Sequence, residues 1–89
     1  MPYIKKEQRT MIDVLLEEVR QYLEVPGQLN YAITKLCHEY IRSRGVSYTV
    51  LNEVHGALHC ADAELYRSVT APYEDKKIAE NGPVSELDR

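Results

Sequence analysis

One apolar stripe runs through the centre of the chain and restricts its fold more than any other feature. The stripe consists of Leu51, Val54, Leu58, Ala61, Leu65 and Val69, at steps of three and four residues. These steps are typical of an amphipathic helix and come close to a heptad seam. Because Ser47 is a suitable cap, we predict a helix from about Tyr48 to Ala71, roughly 36 Å long. Two shorter neighbours would not cover all of it.

Two further helices are predicted before this one. The first runs from about Glu7 to Glu24, with a possible start or kink at Thr10, and its apolar stripe is Ile12, Leu15, Leu16, Val19 and Leu23. The segment Val25-Pro26-Gly27-Gln28 should break it, because Pro and Gly interrupt helices. The second helix runs from about Leu29 to Ser43, and Gly45 suits its C-terminal cap.

A short fourth helix is predicted from about Tyr73 to Glu80, since Pro72 ends or starts a helix and Asn81-Gly82-Pro83 stops one. No strand pattern occurs. The sequence therefore predicts an all-α fold, a small three- to four-helix bundle with one long central helix. We expect a single helical domain over residues 1–83 and a mobile C-terminal tail over 84–89.

Composition and charge exclude several classes of function. The net charge of −3 argues against binding long nucleic acid. The opening MPYIKKEQR lacks the apolar region of a signal peptide, and no stretch reaches the ~18 apolar residues of a membrane span. We therefore expect a cytoplasmic protein with no membrane partner, in which Cys37 and Cys60 are free thiols. No phosphate loop, nucleophile elbow or paired-carboxylate signature occurs, so we expect no enzyme activity and no cofactor.

The long helix also carries a second face of small residues, which are Gly56, Ala57, Cys60 and Ala63. Such a face lets another helix approach closely. Glycine destabilises the interior of a helix relative to alanine, so a glycine at this position favours such a packing role. The seven tyrosines, with no Phe or Trp, suit a surface that is both apolar and wet. We predict a homo-oligomer formed through this third helix. The alternative is that Ala and Gly have no packing role, since Ala is simply a good helix former, and that Tyr fills the edges of the core.

His55 and His59 lie one helical turn apart, a spacing that can hold a transition metal. The glutamate of a metalloprotease motif is missing, and Cys60 and His38 are expected to point elsewhere. We therefore favour structural or surface histidines and assign no metal site, with this pair as the candidates for a zinc alternative. A polar stripe beside the seam could line a pocket or form a boundary layer between helices; it comprises Tyr48, Asn52, His55, His59, Asp62 and Tyr66.

Two short polar stretches could bind a nucleotide-like ligand. The predicted ligand residues are Asn30, Tyr31, Lys35, Tyr66, Arg67, Tyr73 and Lys76. Tyrosine rings would stack on a base, and the Arg and Lys side chains would neutralise phosphates. Alternatively, Asn30 serves only local capping, and the charges of residues 71–78 only follow the helix dipole.

Three blocks of the sequence resemble an uncharacterised family of short phage and prokaryotic proteins. They are Met1-Pro2-Tyr3-Ile4, the block from Leu29-Asn30-Tyr31 to Leu36-Cys37-His38, and Tyr73-Glu74-Asp75-Lys76-Lys77-Ile78 with Asn81-Gly82. The resemblance implies no activity, but it implies a context, because small phage accessory proteins often inhibit or sequester parts of host defence.

The leading hypothesis is a non-catalytic homo-oligomer that binds a nucleotide-like small molecule. In a phage, it would sequester a host immune signalling nucleotide in the host cytoplasm. The first alternative is a protein-interaction module that docks a host or phage protein through helix 48–71. The second alternative is a zinc-binding helical protein.

Overall fold

The computed structural model describes residues 3–87, and this part of the chain contains helices and no strand. In chain order the elements are a 3-10 turn at Lys6–Gln8, α1 at Thr10–Arg20, α2 at Pro26–Arg44, α3 at Tyr48–Leu65, a π-helical turn at Tyr66–Thr70 and α4 at Ala71–Asn81. The predicted all-α class is confirmed.

The junction between α1 and α2 differs from the predicted break. The helix α1 ends at Arg20, before the predicted Glu24, and α2 begins at Pro26 and includes Gly27. Proline fits the first helical position because the amide it lacks would have no partner there. Gln28 completes the start of α2, since its Oε1 accepts hydrogen bonds from the backbone N–H groups of Glu24 at 2.6 Å and Val25 at 3.0 Å.

The junction between α2 and α3 is as predicted. Gly45 ends α2 with a φ of 89°, a left-handed value that side chains rarely allow, and its N–H donates to the carbonyl of Ile41 at 2.7 Å. Ser47 caps α3, because its Oγ accepts from the N–H of Val50 at 3.2 Å. Gly45, Val46 and Ser47 thus turn the chain sharply, and α2 and α3 pack against each other.

The chain remains helical from Tyr48 to Asn81, so α3, the π turn and α4 form one rod. At about 1.5 Å per residue such a rod is about 50 Å long, and the longest dimension of the molecule is 49 Å. Pro72 lies in the first turn of α4. Proline offers no N–H and its ring crowds the carbonyl four residues earlier. The preceding π turn accommodates it, with the N–H of Ala71 donating to the carbonyl of Tyr66.

Little of the molecule is buried. Val50 and Val54 are the buried apolar residues of the described chain, each 8% exposed. The radius of gyration is 17.1 Å, whereas a compact chain of this length would have about 12 Å. No Cα of helix α1 lies within 8 Å of a Cα of α2, α3 or α4. Within residues 3–87 the helices therefore do not close around one core.

Residues 1–2 and 88–89 lie outside the described part, so the predicted tail at 84–89 is only partly covered and the opening Met1-Pro2 lies wholly outside it. The division into a domain and a tail stays a prediction. None of the described helices combines the length and apolar character that spanning a membrane requires.

Candidate functional site

A large open groove with a volume of about 900 Å³ lies between α1 and α2. Its lining is mainly apolar and includes Leu16, Val19, Leu23, Val25, Leu29, Ala32, Ile33 and Leu36. The tyrosines Tyr22 and Tyr31 also line it, together with Lys35 and Glu39. We call this feature the α1–α2 groove. It is open because α1 does not pack along α2, and no Cα of α1 lies within 8 Å of a Cα of α2.

A second cavity of about 330 Å³ lies between α2 and α3. Its lining includes Cys37 and Tyr40 from α2 and Val54, Leu58 and Ala61 from α3. Ile33 and Leu36 line both cavities. The apolar lining is therefore continuous across three helices, and we call it the apolar trough. Leu36, at its centre, is 60% exposed.

The first group of predicted ligand residues lies in the first half of α2. Tyr31 and Lys35 line the α1–α2 groove, and both are exposed. Asn30 makes a local bond instead, because the Oγ1 of Thr34 donates to its backbone carbonyl at 2.9 Å and to its Oδ1 at 3.2 Å. These three residues therefore provide one ring and one cation beside a largely apolar groove.

The second group contains an arginine that already has an anionic partner. The Nη2 of Arg67 donates to the carboxylate oxygens of Glu64 at 2.7 and 2.9 Å, and to the hydroxyl of Tyr3 at 3.2 Å. The hydroxyl of Tyr3 also donates to Glu64. The hydrogen bond from Tyr3, followed by the one from Arg67, lowers the pKa of the Glu64 carboxyl. The same bond to Glu64 raises the pKa of Tyr3.

The other members of the second group lie along the π turn and α4. The hydroxyl of Tyr66 donates to Glu74 Oε1 at 2.8 Å, and this bond raises the pKa of Tyr66. The ammonium of Lys77 lies 5.4 Å from the ring centre of Tyr73, and Lys76 is exposed. The π turn explains the first contact. It adds one residue to a turn, so Tyr66 and Glu74 come to the same face, where an α-helix would separate them by about 80°.

The two groups do not line a common cavity. Tyr31 and Lys35 line the α1–α2 groove, whereas Tyr66 lines a different hollow with Glu74, Asp75 and Lys77. The charge of Arg67 is balanced by Glu64, and the carboxylates near Tyr66 oppose an incoming phosphate. The described chain therefore holds the predicted residues as two separate patches.

No metal centre is assembled by the described residues. Across residues 3–87, no group of three or more His, Cys, Asp or Glu side chains could hold a metal ion. His55 and His59 are exposed on α3. Cys60 is also exposed and Cys37 is half-buried, and both are free thiols in the described chain.

Three features of the site were not foreseen from the sequence. They are the part of Tyr3 at Glu64, the π turn, and the α1–α2 groove. The groove has a visible signal, because the predicted stripes of α1 and α2 contain more large apolar residues than one small core can bury. The contact of Tyr3 with Glu64 joins residues far apart in the chain, so no local pattern indicates it.

Comparison with known families places the chain in one of them. Residues 1–84 match the family model described as a domain of unknown function, DUF6899. The chain belongs to the DUF6899 family. This membership agrees with the resemblance to an uncharacterised family of short proteins. No curated protein and no solved structure gives a significant match to this DUF6899 chain.

Proposed function

We propose that this DUF6899 chain is a non-catalytic interaction protein of the cytoplasm, which acts by docking a polypeptide into its apolar trough. The observation that carries the proposal is the exposure of the trough. Leu36 at its centre is 60% exposed, although it lines both cavities. Soluble proteins rarely leave a contiguous apolar surface of this size uncovered unless it binds a partner.

The surface area of the chain supports the same proposal. The chain exposes 8086 Å², whereas a compact chain of this mass would expose about 5400 Å². A docked polypeptide would cover much of this excess and complete the three- to four-helix bundle around the long rod. The predicted docking helix 48–71 takes part through Val54, Leu58 and Ala61, which line the trough on the α3 side.

A photo-crosslinking experiment tests the proposal. Tyr22 lines the α1–α2 groove in the turn that follows α1, and Glu17 lies on α1 outside that lining. Benzoylphenylalanine placed at either position reacts with any polypeptide that covers it. We expect a discrete adduct in producing cells from position 22 and none from the matched control at position 17. Equal labelling at both positions, or no adduct at all, would contradict the proposal.

The second candidate function is the binding of a nucleotide-like small molecule, and the π turn favours it. Tyr66 and Arg67 open this turn, and π turns occur frequently at functional sites. Arg67 engages its described partners through Nη2 alone. Its remaining N–H groups could donate to a phosphate, with Lys76 adding charge and Tyr73 offering a ring. In a phage, such a protein would sequester a host immune signalling nucleotide.

Calorimetry with a matched pair of variants tests this second candidate. Arg67 pairs with Glu64, and Arg42 pairs with Glu39, both at i,i+3 spacing and 2.7 Å. Cyclic AMP, cyclic di-AMP, cyclic di-GMP and ADP-ribose serve as probes. We expect micromolar binding of at least one probe, lost in Arg67→Ala and kept in Arg42→Ala. If none of the four probes binds, or if both variants lose binding equally, the nucleotide hypothesis fails.

A further inference from the structure

We infer that the occupant of the α1–α2 groove is a second copy of this chain, with α1 of each copy seated in the groove of the other. This inference rests on the proposed function and names its partner. It also moves the predicted self-contact from the third helix to the first two. Four observations support it: the exposed area, the chemistry of the groove, the unused apolar face of α1, and the small buried core.

The area matches what an obligate dimer needs. The 8086 Å² exposed by the chain exceeds the expectation for a compact chain by about 2700 Å². Obligate homodimers bury about 2000–5000 Å² in total, or about half of that on each chain. One extensive interface with a second copy would therefore bring each chain close to the exposure of a compact protein.

The chemistry of the groove favours a second copy over an unrelated partner. Lys35 and Glu39 are the charged residues of its lining. Interfaces between unlike proteins that form and dissociate are about as polar as the rest of a protein surface, whereas homodimer interfaces are more apolar. A groove with one cation and one anion offers little charge pattern by which a foreign protein would be selected.

Helix α1 supplies a suitable occupant. Its residues Leu16 and Val19 line the groove of their own chain, together with Leu23 just after the helix. Its earlier apolar residues Met11, Ile12 and Leu15 do not line that groove and are exposed. In a two-fold arrangement each surface patch meets its own copy, so the apolar face of α1 can cover the partner's groove while its own groove receives the partner's α1.

The small core makes assembly a condition of folding. Val50 and Val54 are the buried apolar residues of the described chain, and a chain of this size needs a partner, a metal or a disulfide when its core is insufficient. Both cysteines are free and the described residues offer no metal group. A partner chain is the remaining source of buried apolar surface, and the apolar groove favours a second copy in that role.

Light scattering on the purified full-length chain tests the inference with two matched variants. Val19 lines the groove and is 37% exposed, whereas Val14 on the same helix is 51% exposed and outside the lining. We expect a mass about twice the 10.3 kDa of one chain for the wild type and for Val14→Glu. We expect Val19→Glu to dissociate at a concentration at least tenfold higher than the wild type.

A second measurement avoids variants that fail to fold. Benzoylphenylalanine at Tyr22 of the purified protein should give a covalent dimer, with the crosslink mapped to α1 or α2 of the second chain. A crosslink mapped to α3 or α4 overturns the inference, as does a Val19→Glu variant that assembles as well as Val14→Glu. A wild-type monomer at 100 µM also overturns it.

The radius of gyration separates this failure from that of the proposed function. A monomer that keeps about 17 Å in X-ray scattering still has an open groove, as the structure does at 17.1 Å. In that case only the second copy is excluded as the occupant. A monomer near 12 Å, the value for a compact chain of this length, has closed its own groove, and the proposed docking function fails with it.

Discussion

The two interhelical junctions of the molecule differ sharply. At the α2–α3 junction, Gly45 and Ser47 fix the turn, Val50 and Val54 are buried, and Tyr40 donates a hydrogen bond to Glu53 at 2.9 Å. At the α1–α2 junction, Gln28 fixes the backbone but no side chain of α1 is buried. Local capping therefore starts and ends helices at both junctions. Only at the α2–α3 junction do the two helices also pack against each other.

The difference shows what a good cap can and cannot do. A cap satisfies backbone groups at a helix end and contributes about 1 kcal/mol, which does not hold two helices together. Packing requires facing apolar side chains at a suitable angle. The α2–α3 hairpin has them, whereas the facing residues of α1 and α2 stay apart and form a groove. A partner surface would therefore add most to the stability of the molecule by covering the α1–α2 end.

The largest effect is expected from a charge placed in the packed end. Val54→Asp introduces a carboxylate at a position 8% exposed, and an unpaired buried charge costs several kcal/mol. The same change at Val14, which is 51% exposed, should lower the free energy of unfolding by less than about 1 kcal/mol. Urea unfolding followed by circular dichroism at one protein concentration measures both. Similar losses for the two variants would remove the distinction between the packed and the open end.

A smaller truncation in the open end tests whether that end is covered. In the lone chain Leu36 is 60% exposed, so Leu36→Ala should cost at most about 0.5 kcal/mol. If a second copy covers the groove, the same change removes buried methyl groups and should cost about 2–5 kcal/mol. We expect the larger loss, in a urea transition that moves to higher denaturant as protein concentration rises. A small loss with no concentration dependence would show that the end stays open.

The cap of α3 should contribute less than either apolar site. Ser47→Ala removes the acceptor for the N–H of Val50 and should cost about 1 kcal/mol. Ser43→Ala is the matched control, because the Oγ of Ser43 bonds back to the carbonyl of Tyr40 inside α2. Such bonds stabilise a helix little or not at all. Thermal unfolding should therefore separate the two serines, and equal shifts would mean that the Ser47 cap does not stabilise the junction.

The sequence predicted the elements better than their arrangement, for a physical reason. Gly45, Ser47 and the apolar stripe of α3 act through neighbours within one or two turns, so their effects can be read along the chain. The contact of Tyr3 with Glu64 joins residues far apart in sequence, and whether two helices pack together also depends on non-local contacts, which α2 and α3 make and α1 and α2 do not. The π turn depends on how a rod accommodates Pro72, which a pattern of apolar residues does not record.

The predicted ligand residues show the same limit. Residue type identified Arg67 as a possible phosphate partner, but it could not show that Glu64 and Tyr3 bind its Nη2. Nor could local spacing tell that Tyr31 and Tyr66 line different cavities.

The smallest effect concerns the link between the N-terminal segment and the rod, which Tyr3 makes through Glu64 and Arg67. The hydrogen bond from Tyr3 lowers the pKa of Glu64, so its contribution is present above about pH 4.3, the ordinary glutamate value, and is lost as the pH falls through the lowered one. The pKa of Tyr3 is raised by the same bond, so that contribution is present below about pH 10 and is lost as the pH rises through the raised value.

Ring-labelled Tyr3 should therefore shift in NMR spectra at both extremes. Glu64→Gln should abolish the acid transition, since an amide does not titrate in this range. An acid shift of Tyr3 that persists in this variant would mean that a group other than Glu64 anchors the N-terminal segment to the rod.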